Sequence, residues 1–402
     1  MSSADSVGLL TKSFQRPQAV PRGHSSLTLL IAWRNLVHDR VRFAVTLVGI
    51  AFSTVLMGIQ LGMLLNFMHT TSTIVDQAGA DLWVAVQGVR SVDLATPIEE
   101  RRRFQSLAVD GIAKAEPMLL HFGSWKRSNG VRELVLVIGV EPNAEMGLLP
   151  SMTPGQNVHD ALSTPDGVII DRLYAQKLGV TSIGQIVEIN NHRARVAGFT
   201  EGIRTFTQAP YVFTSLRNAR LLSDLGDKDI TYVLIKLLEG QAPEPVIRAL
   251  STRMPDVDVL PTDEFSHRSR SYWLFTTGAG ITLISSSLLA LLVGVVIVAQ
   301  TLYASTLDRL PEYAVVRAMG GPRSYLYKIV IKQAVIGGVL GGLTGISVVL
   351  LLAYLSRNSS SPPQVPLWLA SGIGVITILM CISASLVSLN KVTAIDPVKV
   401  FR

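Results

Sequence analysis

The chain has 402 residues, 48% of them hydrophobic and only 16% charged, with a net charge of +7. Soluble domains carry about 25% charged residues, so these values exclude a wholly aqueous protein. The basic balance does not argue for nucleic acid, because no Lys/Arg block is interleaved with aromatics and positive charge beside membrane spans follows from the positive-inside bias alone.

The first 26 residues are polar and carry Arg16-Pro17 and Val20-Pro21-Arg22-Gly23. They hold no apolar segment ahead of a small-residue cleavage site, and residues 1–30 are expected to form a flexible cytoplasmic tail. An uncharged run follows from Phe43 to Val75. It exceeds the ~20 apolar residues that cross a bilayer as a helix, so residues 31–68 are expected to supply a cytoplasmic entry helix and a first transmembrane helix, acting as an uncleaved anchor.

Residues 69–270 have ordinary mixed polarity and are expected to form an α+β domain of two lobes, the second inserted at about 150–225. Leu82–Val86, Leu134–Val140, Val168–Ile170 and Tyr232–Leu237 are strand-like apolar runs. Pro97–Leu107 reads as a helix with Pro97 at its first position and Glu99 and Glu100 in its first turn. Asp171–Leu178 reads as a short helix stopped by Gly179, and Gly184–Gly198 as a small antiparallel unit. The stretch Leu149–Gly155, rich in Pro and Gly, marks a boundary inside the domain.

A second uncharged run, Ser271–Leu307, would extend ~55 Å as one helix against ~30 Å of hydrocarbon. Residues 271–303 are therefore expected to combine a stalk with the second span. Tyr272 and Trp273 would lie at the outer interface, and Trp368 at the corresponding level of the fourth span. The third and fourth spans are expected at 329–356 and 366–389, with a cytoplasmic tail at 390–402. The fold expected is an α-helical membrane protein with four transmembrane helices, one plus three, around a large extracytoplasmic α+β domain.

Orientation follows from short-loop basic residues. Arg34, Arg40 and Arg42 precede the first span; Arg309, Arg317, Arg323 and Lys328 lie between the second and third; Lys391, Lys399 and Arg402 follow the fourth. Both termini and the 304–328 loop are thus expected in the cytoplasm and the large domain outside. Arg268 and Arg270 go against the bias, but they belong to a long translocated domain, where it counts for little.

Several chemistries have no motif here. There is no G-x-x-x-x-G-K-[ST], H-E-x-x-H or G-x-S-x-G. His121, His159, His192 and His267 are scattered, and the single cysteine, Cys381, falls in the last span as a small packing residue. No catalytic, metal or cofactor site is expected. The span interiors hold no Asp, Glu or Arg, which argues against a proton relay or ion channel.

Two features remain. Gly337, Gly338, Gly341, Gly342 and Gly345 form a small-residue stripe in the third span that lets helices approach closely. Ser285–Ser287 in the second span are expected to bond back to their own helix. The loop after the second span opens with Arg309, and Pro311 and Glu312 fit the start of a short amphipathic helix that Gly320-Gly321 stop.

The segment Glu312-Tyr313-Ala314-Val315-Val316-Arg317-Ala318-Met319-Gly320 resembles the signature of the FtsX/MacB/LolC permeases of ABC transporters. Ala32-Trp33-Arg34-Asn35-Leu36 with Arg40-Val41-Arg42 is similar to that family's entry motif, and Ile395-Asp396-Pro397-Val398-Lys399-Val400-Phe401-Arg402 to its ending. DevC-like exporter permeases are the nearest branch: they share Gly49–Phe52, Gln60–Gly62, Ser124–Lys126, Tyr272-Trp273 and Glu312–Ala314, and tolerate Ala314 where MacB-type members have Gly. The resemblance implies a bacterial inner-membrane, non-catalytic permease working as a homodimer. It implies that Arg309, Pro311, Glu312, Tyr313, Val316, Arg317, Met319 and Gly320 form the helix that contacts a separate ATPase, which binds the ATP. It implies efflux with a membrane-fusion protein and an outer-membrane channel; membrane lipids are also expected partners, and nucleic acid is not. The alternatives are FtsX-like signalling to a cell-wall hydrolase and lipoprotein extraction.

Overall fold

Long apolar sequences without proline dominate both ends of the chain, and they fold as helices. The structure is a computed structural model that describes residues 40–147, 152–154, 156–207, 209–308 and 323–393. Helix α1 spans Arg40–Gln77. Four helical stretches are long and apolar enough to cross a membrane: Phe43–Gln77, Gly278–Thr301, Tyr327–Leu355 and Leu367–Leu386. They stand in the one-plus-three order around an α+β domain. The expected tail at 1–30 and residues 394–402 of the expected tail at 390–402 lie outside the described residues, while 390–393 continue the last helix.

After α1 the chain builds a nine-stranded sheet. Its strands are β1 (Leu82–Val86), β3 (Ile112–Lys126), β4 (Arg132–Val140), β5 (Gly167–Asp171), β6 (Ile186–Ile189), β7 (His192–Thr200), β8 (Tyr211–Ser215), β10 (Tyr232–Leu237) and β11 (Val257–Pro261), in the order β11-β1-β10-β3-β4-β8-β5-β7-β6. A small pair of β2 (Ile98–Glu99) and β9 (Asp229–Ile230) stands apart. β3 carries the architecture because it belongs to two groups. Its first half, Ile112–Met118, pairs with β10, and its second half, Met118–Lys126, pairs with β4. Trp125 and Lys126 then pair with Ile189 and Glu188 of β6, which closes β3-β4-β8-β5-β7-β6 into a ring. Residues 150–225 supply four of those six strands.

Uninterrupted apolar strands are buried on both faces, and β1 shows how. Leu82 and Val84 join one core cluster and Trp83 and Ala85 the other, all fully buried. Trp83 packs edge-on against Tyr232 at 5.2 Å and beside Phe265 at 5.4 Å. Trp125 is buried inside the ring, and its indole N–H donates to Leu178 O at 3.0 Å.

Helices cover the sheet: α2 (Arg101–Leu107), α3 (Val158–Ser163), α4 (Ala175–Leu178), α5 (Leu216–Leu222), α6 (Pro243–Arg253) and α7 (Thr262–Ser271). The helix read from Pro97 starts four residues later than its composition suggests. Ile98 and Glu99 are drawn into the β2–β9 ladder, and Glu100 becomes the cap residue, its carboxylate accepting from Arg220 at 2.7 Å. Asp171 caps a 3-10 turn at Arg172–Tyr174, and Gly179 ends α4 with φ +70°, the left-handed conformation that glycine reaches without penalty.

The second uncharged run is not one straight rod. A π-helical turn occupies Tyr272–Thr276, Thr277 is extended (φ −89°, ψ 155°), and helix α8 starts afresh at Gly278 and runs to Asp308. A side chain at Gly280 would collide with the Leu274 carbonyl, so glycine is needed where the turn folds back over the helix start. Helices α9 (Arg323–Leu355) and α10 (Leu367–Thr393) complete the chain.

The chain divides into two compact units. One consists of Met1–Ile50, Val295–Gly341 and Thr377–Arg402. The other consists of Ala51–Gly294 and Gly342–Ile376, and contains the sheet.

Candidate functional site

Arg309, Pro311, Glu312, Tyr313, Val316, Arg317, Met319 and Gly320 lie outside the described residues; α8 ends at Asp308 and α9 begins at Arg323. The glycine stripe is described. In the first unit, a Cβ at Gly341 would stand 2.7 Å from Cβ and Cγ2 of Ile50, one at Gly337 3.5 Å from Ile50 Cδ1, and one at Gly338 3.3 Å from Cys381 Sγ and Ile378 Cα. In the second unit, a Cβ at Gly345 would stand 2.6 Å from Thr54 Cβ and 2.9 Å from Ala51 O. Gly342 is buried. The stripe is therefore occupied by this chain's own α1 and α10. Ser287 Oγ donates to Leu283 O at 2.9 Å, the back-bond expected of it.

Within the second unit, the ends of the membrane helices are joined to the sheet domain by a dense polar and aromatic junction. Arg270, on α7, donates through Nε to Ser72 Oγ and through Nη2 to Asp76 Oδ2, both at 2.7 Å, and Ser72 Oγ donates to the same carboxylate at 2.7 Å. This ties the last turns of α1 to the helix that leads into α8. Arg268, two residues earlier, pairs with Asp258 at 3.1 Å and Glu264 at 3.0 Å. The two arginines that go against the positive-inside bias are thus each matched by an acid.

The π-helical turn aims Trp273 at the domain. Its indole N–H is 3.1 Å from both Ser91 Oγ and Asp93 Oδ1, and Ser91 Oγ donates to Asp93 Oδ1 at 2.5 Å. Phe206 lies edge-on between Trp273, at 4.9 Å, and Phe67 of α1, at 6.2 Å. Ser269 Oγ accepts from Val92 N–H at 3.2 Å, and the Tyr232 hydroxyl donates to Val92 O at 2.5 Å.

The connection between α9 and α10 joins the same assembly. Gln364 N–H donates to Gly62 O and its side-chain amide to Asn66 Oδ1, both at 3.0 Å. Arg204, in the loop between β7 and β8, donates to Arg357 O at 2.7 Å. The α9–α10 connection is thus bonded to α1 through Gln364 and to the sheet domain through Arg204.

Asp93 is 6% exposed and its Oδ2 has no partner. Its carboxylate adds to burial in pushing the Tyr232 and Tyr211 phenols well above their ordinary range, burial being the larger cause, with Tyr174 adding to the effect on Tyr211. Among the described residues no group of three or more His, Cys, Asp or Glu is placed to hold a metal. His159 sits 2.6 Å from Pro142 O and His192 3.0 Å from Asp224 Oδ1. The junction links the ends of α1 and α7 to the sheet domain by hydrogen bonds and ring contacts. The sequence signals for it were slight. Asp76 is the acid that ends the first uncharged run and Arg270 the base that precedes the second, but nothing local pairs them.

Residues 43–253 match the MacB-like periplasmic core domain, and residues 284–397 match the FtsX-like permease C-terminal family. An ABC transporter permease of Mycobacterium tuberculosis is 24% identical over 390 residues, covering 93% of this chain and 99% of that protein. One of Mycobacterium bovis is 24% identical over 372 residues, covering 92% and 97%. The macrolide export ATP-binding/permease protein MacB of Agrobacterium fabrum is 26% identical over 216 residues, 50% of this chain and 32% of that one. The periplasmic region of MacB from Actinobacillus actinomycetemcomitans aligns with a TM-score of 0.37 at 12% identity, covering 48% of this chain and 94% of that one. Four apolar helices around a MacB-like periplasmic domain make this a multi-pass inner-membrane protein. With one matched region covering more than half of its length and a second covering the three C-terminal helices' segment, the chain belongs to the MacB/FtsX family of ABC transporter permeases.

Proposed function

We propose that this chain is the non-catalytic permease subunit of an exporter of the DevC-like branch. It works as a homodimer and transmits ATP-driven motion from a separate ATPase to its periplasmic domain. In this reading both termini and the 304–328 loop are cytoplasmic. Arg309, Pro311, Glu312, Tyr313, Val316, Arg317, Met319 and Gly320 form the helix that rests on the ATPase, which holds the ATP. The domain then acts on substrate outside the membrane, together with a membrane-fusion protein and an outer-membrane channel.

The observation that carries the reading is the junction at Arg270–Asp76 and Trp273–Asp93. A helix pair that only anchored a domain would need no more than a covalent connection to it. Here α1 and the α7–α8 connection are both bonded to the domain, so a displacement of either helix is passed on and not absorbed in a loop. The span interiors, which lack carboxylates and arginine, suit a lever better than a polar pore.

The test is reconstitution of the full chain with its ATPase in proteoliposomes. Replacing Glu312 and Arg317 by Ala together is expected to lower the permease-stimulated ATPase rate at least about tenfold, the loss of roughly two charge-assisted contacts. Unchanged association and stimulation would sink the coupling-helix assignment.

A further inference from the structure

β6 is paired with β7 along its whole length but with β3 only at Ile189 and Glu188. Beyond Lys126 the chain leaves the ring in a turn, with Arg127 N–H donating to Val131 O at 2.8 Å and Gly130 N–H to Arg127 O at 2.9 Å. Bonding direction alternates along an antiparallel strand. Gln185 O accepts from Val196 of β7, while Asn190 N–H donates to Ser124 of β3. By that alternation Ile186 turns its N–H and C=O away from β7, into the space that β3 has vacated. The space is a cleft of about 450 Å³ whose lining includes Arg127, Ser128, Ile186, Glu188 and Arg193.

The cleft is electrostatically unbalanced. Its lining holds one acid, Glu188, and Lys126 already takes both carboxylate oxygens at 2.9 and 3.1 Å. Arg127 Nε is buried with no partner. That side chain lies over Gly179, its Nε 3.4 Å from where a Cβ would stand, so the absence of a side chain at 179 gives it room. Arg193 is exposed and forms no ion pair among the described residues. Ile186, in the lining, is 57% exposed, and Ile183, three residues earlier, is 51% exposed. One arginine with a buried, unpartnered Nε, a second that is exposed and without an ion pair among the described residues, a backbone donor–acceptor pair turned away from β7 and exposed aliphatic side chains match three parts of one ligand: carboxylates, an extended backbone and apolar side chains.

We propose that this cleft binds an extended acidic segment of a partner protein. The segment's backbone bonds to Ile186, and its carboxylates bond to Arg127 and Arg193. This goes beyond the export reading and does not depend on it.

The probe is a fluorescein-labelled Val-Glu-Val-Glu-Val-Glu peptide, titrated by anisotropy against the purified full-length chain in detergent micelles. The native chain is expected to bind it and not the Val-Lys counterpart. Arg127→Gln and Arg193→Glu are each expected to raise Kd at least about tenfold, the effect of losing one charge-assisted contact. Arg217→Gln, an exposed arginine on α5, is expected to change it less than about twofold. Arg193→Glu alters a side chain with no bonds to lose, so its fold is checked by an unchanged melting curve. Failure of the native chain to bind, binding by Arg193→Glu within about twofold of native, or equal weakening by Arg217→Gln would overturn the proposal. Displacement of the peptide by inorganic phosphate at equal charge would also overturn it, by assigning the cleft to a simple anion.

Discussion

Asp93 is an acid where few acids are tolerated: nearly buried, one oxygen held by Ser91 and the Trp273 indole, the other without a partner. An unsatisfied buried acceptor costs about 1–3 kcal/mol, and the other oxygen of the same carboxylate fixes the position of Trp273. The same carboxylate bears on Tyr211 and Tyr232, although burial is the main cause of their raised ionisation. A phenol harder to ionise in the folded state contributes stability that is fully present below its unfolded pKa of about 10 and is lost as pH rises through the folded value. Titration of tyrosinate absorbance should therefore show these two phenols silent above pH ~10 until the domain unfolds. Ionisation of all tyrosines within the folded protein would contradict it.

At the scale of elements, the glycine stripe of α9 is defined by its neighbours. Gly341 and Gly345 sit against Ile50 and Thr54 of α1, each within its own unit. Small residues let backbones approach so that dispersion contacts hold helices together without a hydrophobic drive. Gly341→Leu should destabilise the protein by about 1–3 kcal/mol through overpacking, read as a lower melting temperature in detergent. Gly372→Leu in α10 is the control, since a Cβ there meets nothing within 4 Å. Equal tolerance of both would mean the α1–α9 contact is not close. The break at Thr277 is a second element-scale feature: it turns Trp273 toward the domain while letting α8 start cleanly at Gly278.

For the whole molecule, the question is whether movement reaches the domain. The Arg270–Asp76 pair is about a third exposed on both sides, so its net contribution to stability is only ~0.2–1 kcal/mol. Its value in the proposed mechanism is positional. Arg270→Asp should leave melting nearly unchanged yet lower export per ATP hydrolysed, and adding Asp76→Arg should restore it. Loss of export in the single variant with no recovery in the double would remove the pair from the transmission path. Arg270 joins the last turns of α1 to α7, which leads into α8, and the α9–α10 connection is held by Gln364 to α1 and by Arg204 to the domain.

Topology was readable from the chain alone, because a helix that crosses hydrocarbon must be long and largely uncharged, and such runs are local in sequence. Strands such as Leu82–Val86 and Tyr232–Leu237 were readable for the same reason: an apolar run of that length between turn residues has few other uses. The helix at Pro97 was misplaced because pairing with Asp229–Ile230, far along the chain, took two of its residues. The division of β3 between two strand groups, its closure onto β6 and the cleft beside that closure depend on which strands meet. The clamp between Asp76 and Arg270 joins residues 194 positions apart. Propensity and periodicity act over a few residues; such pairings are decided by register and packing, and only the folded chain brings their partners together.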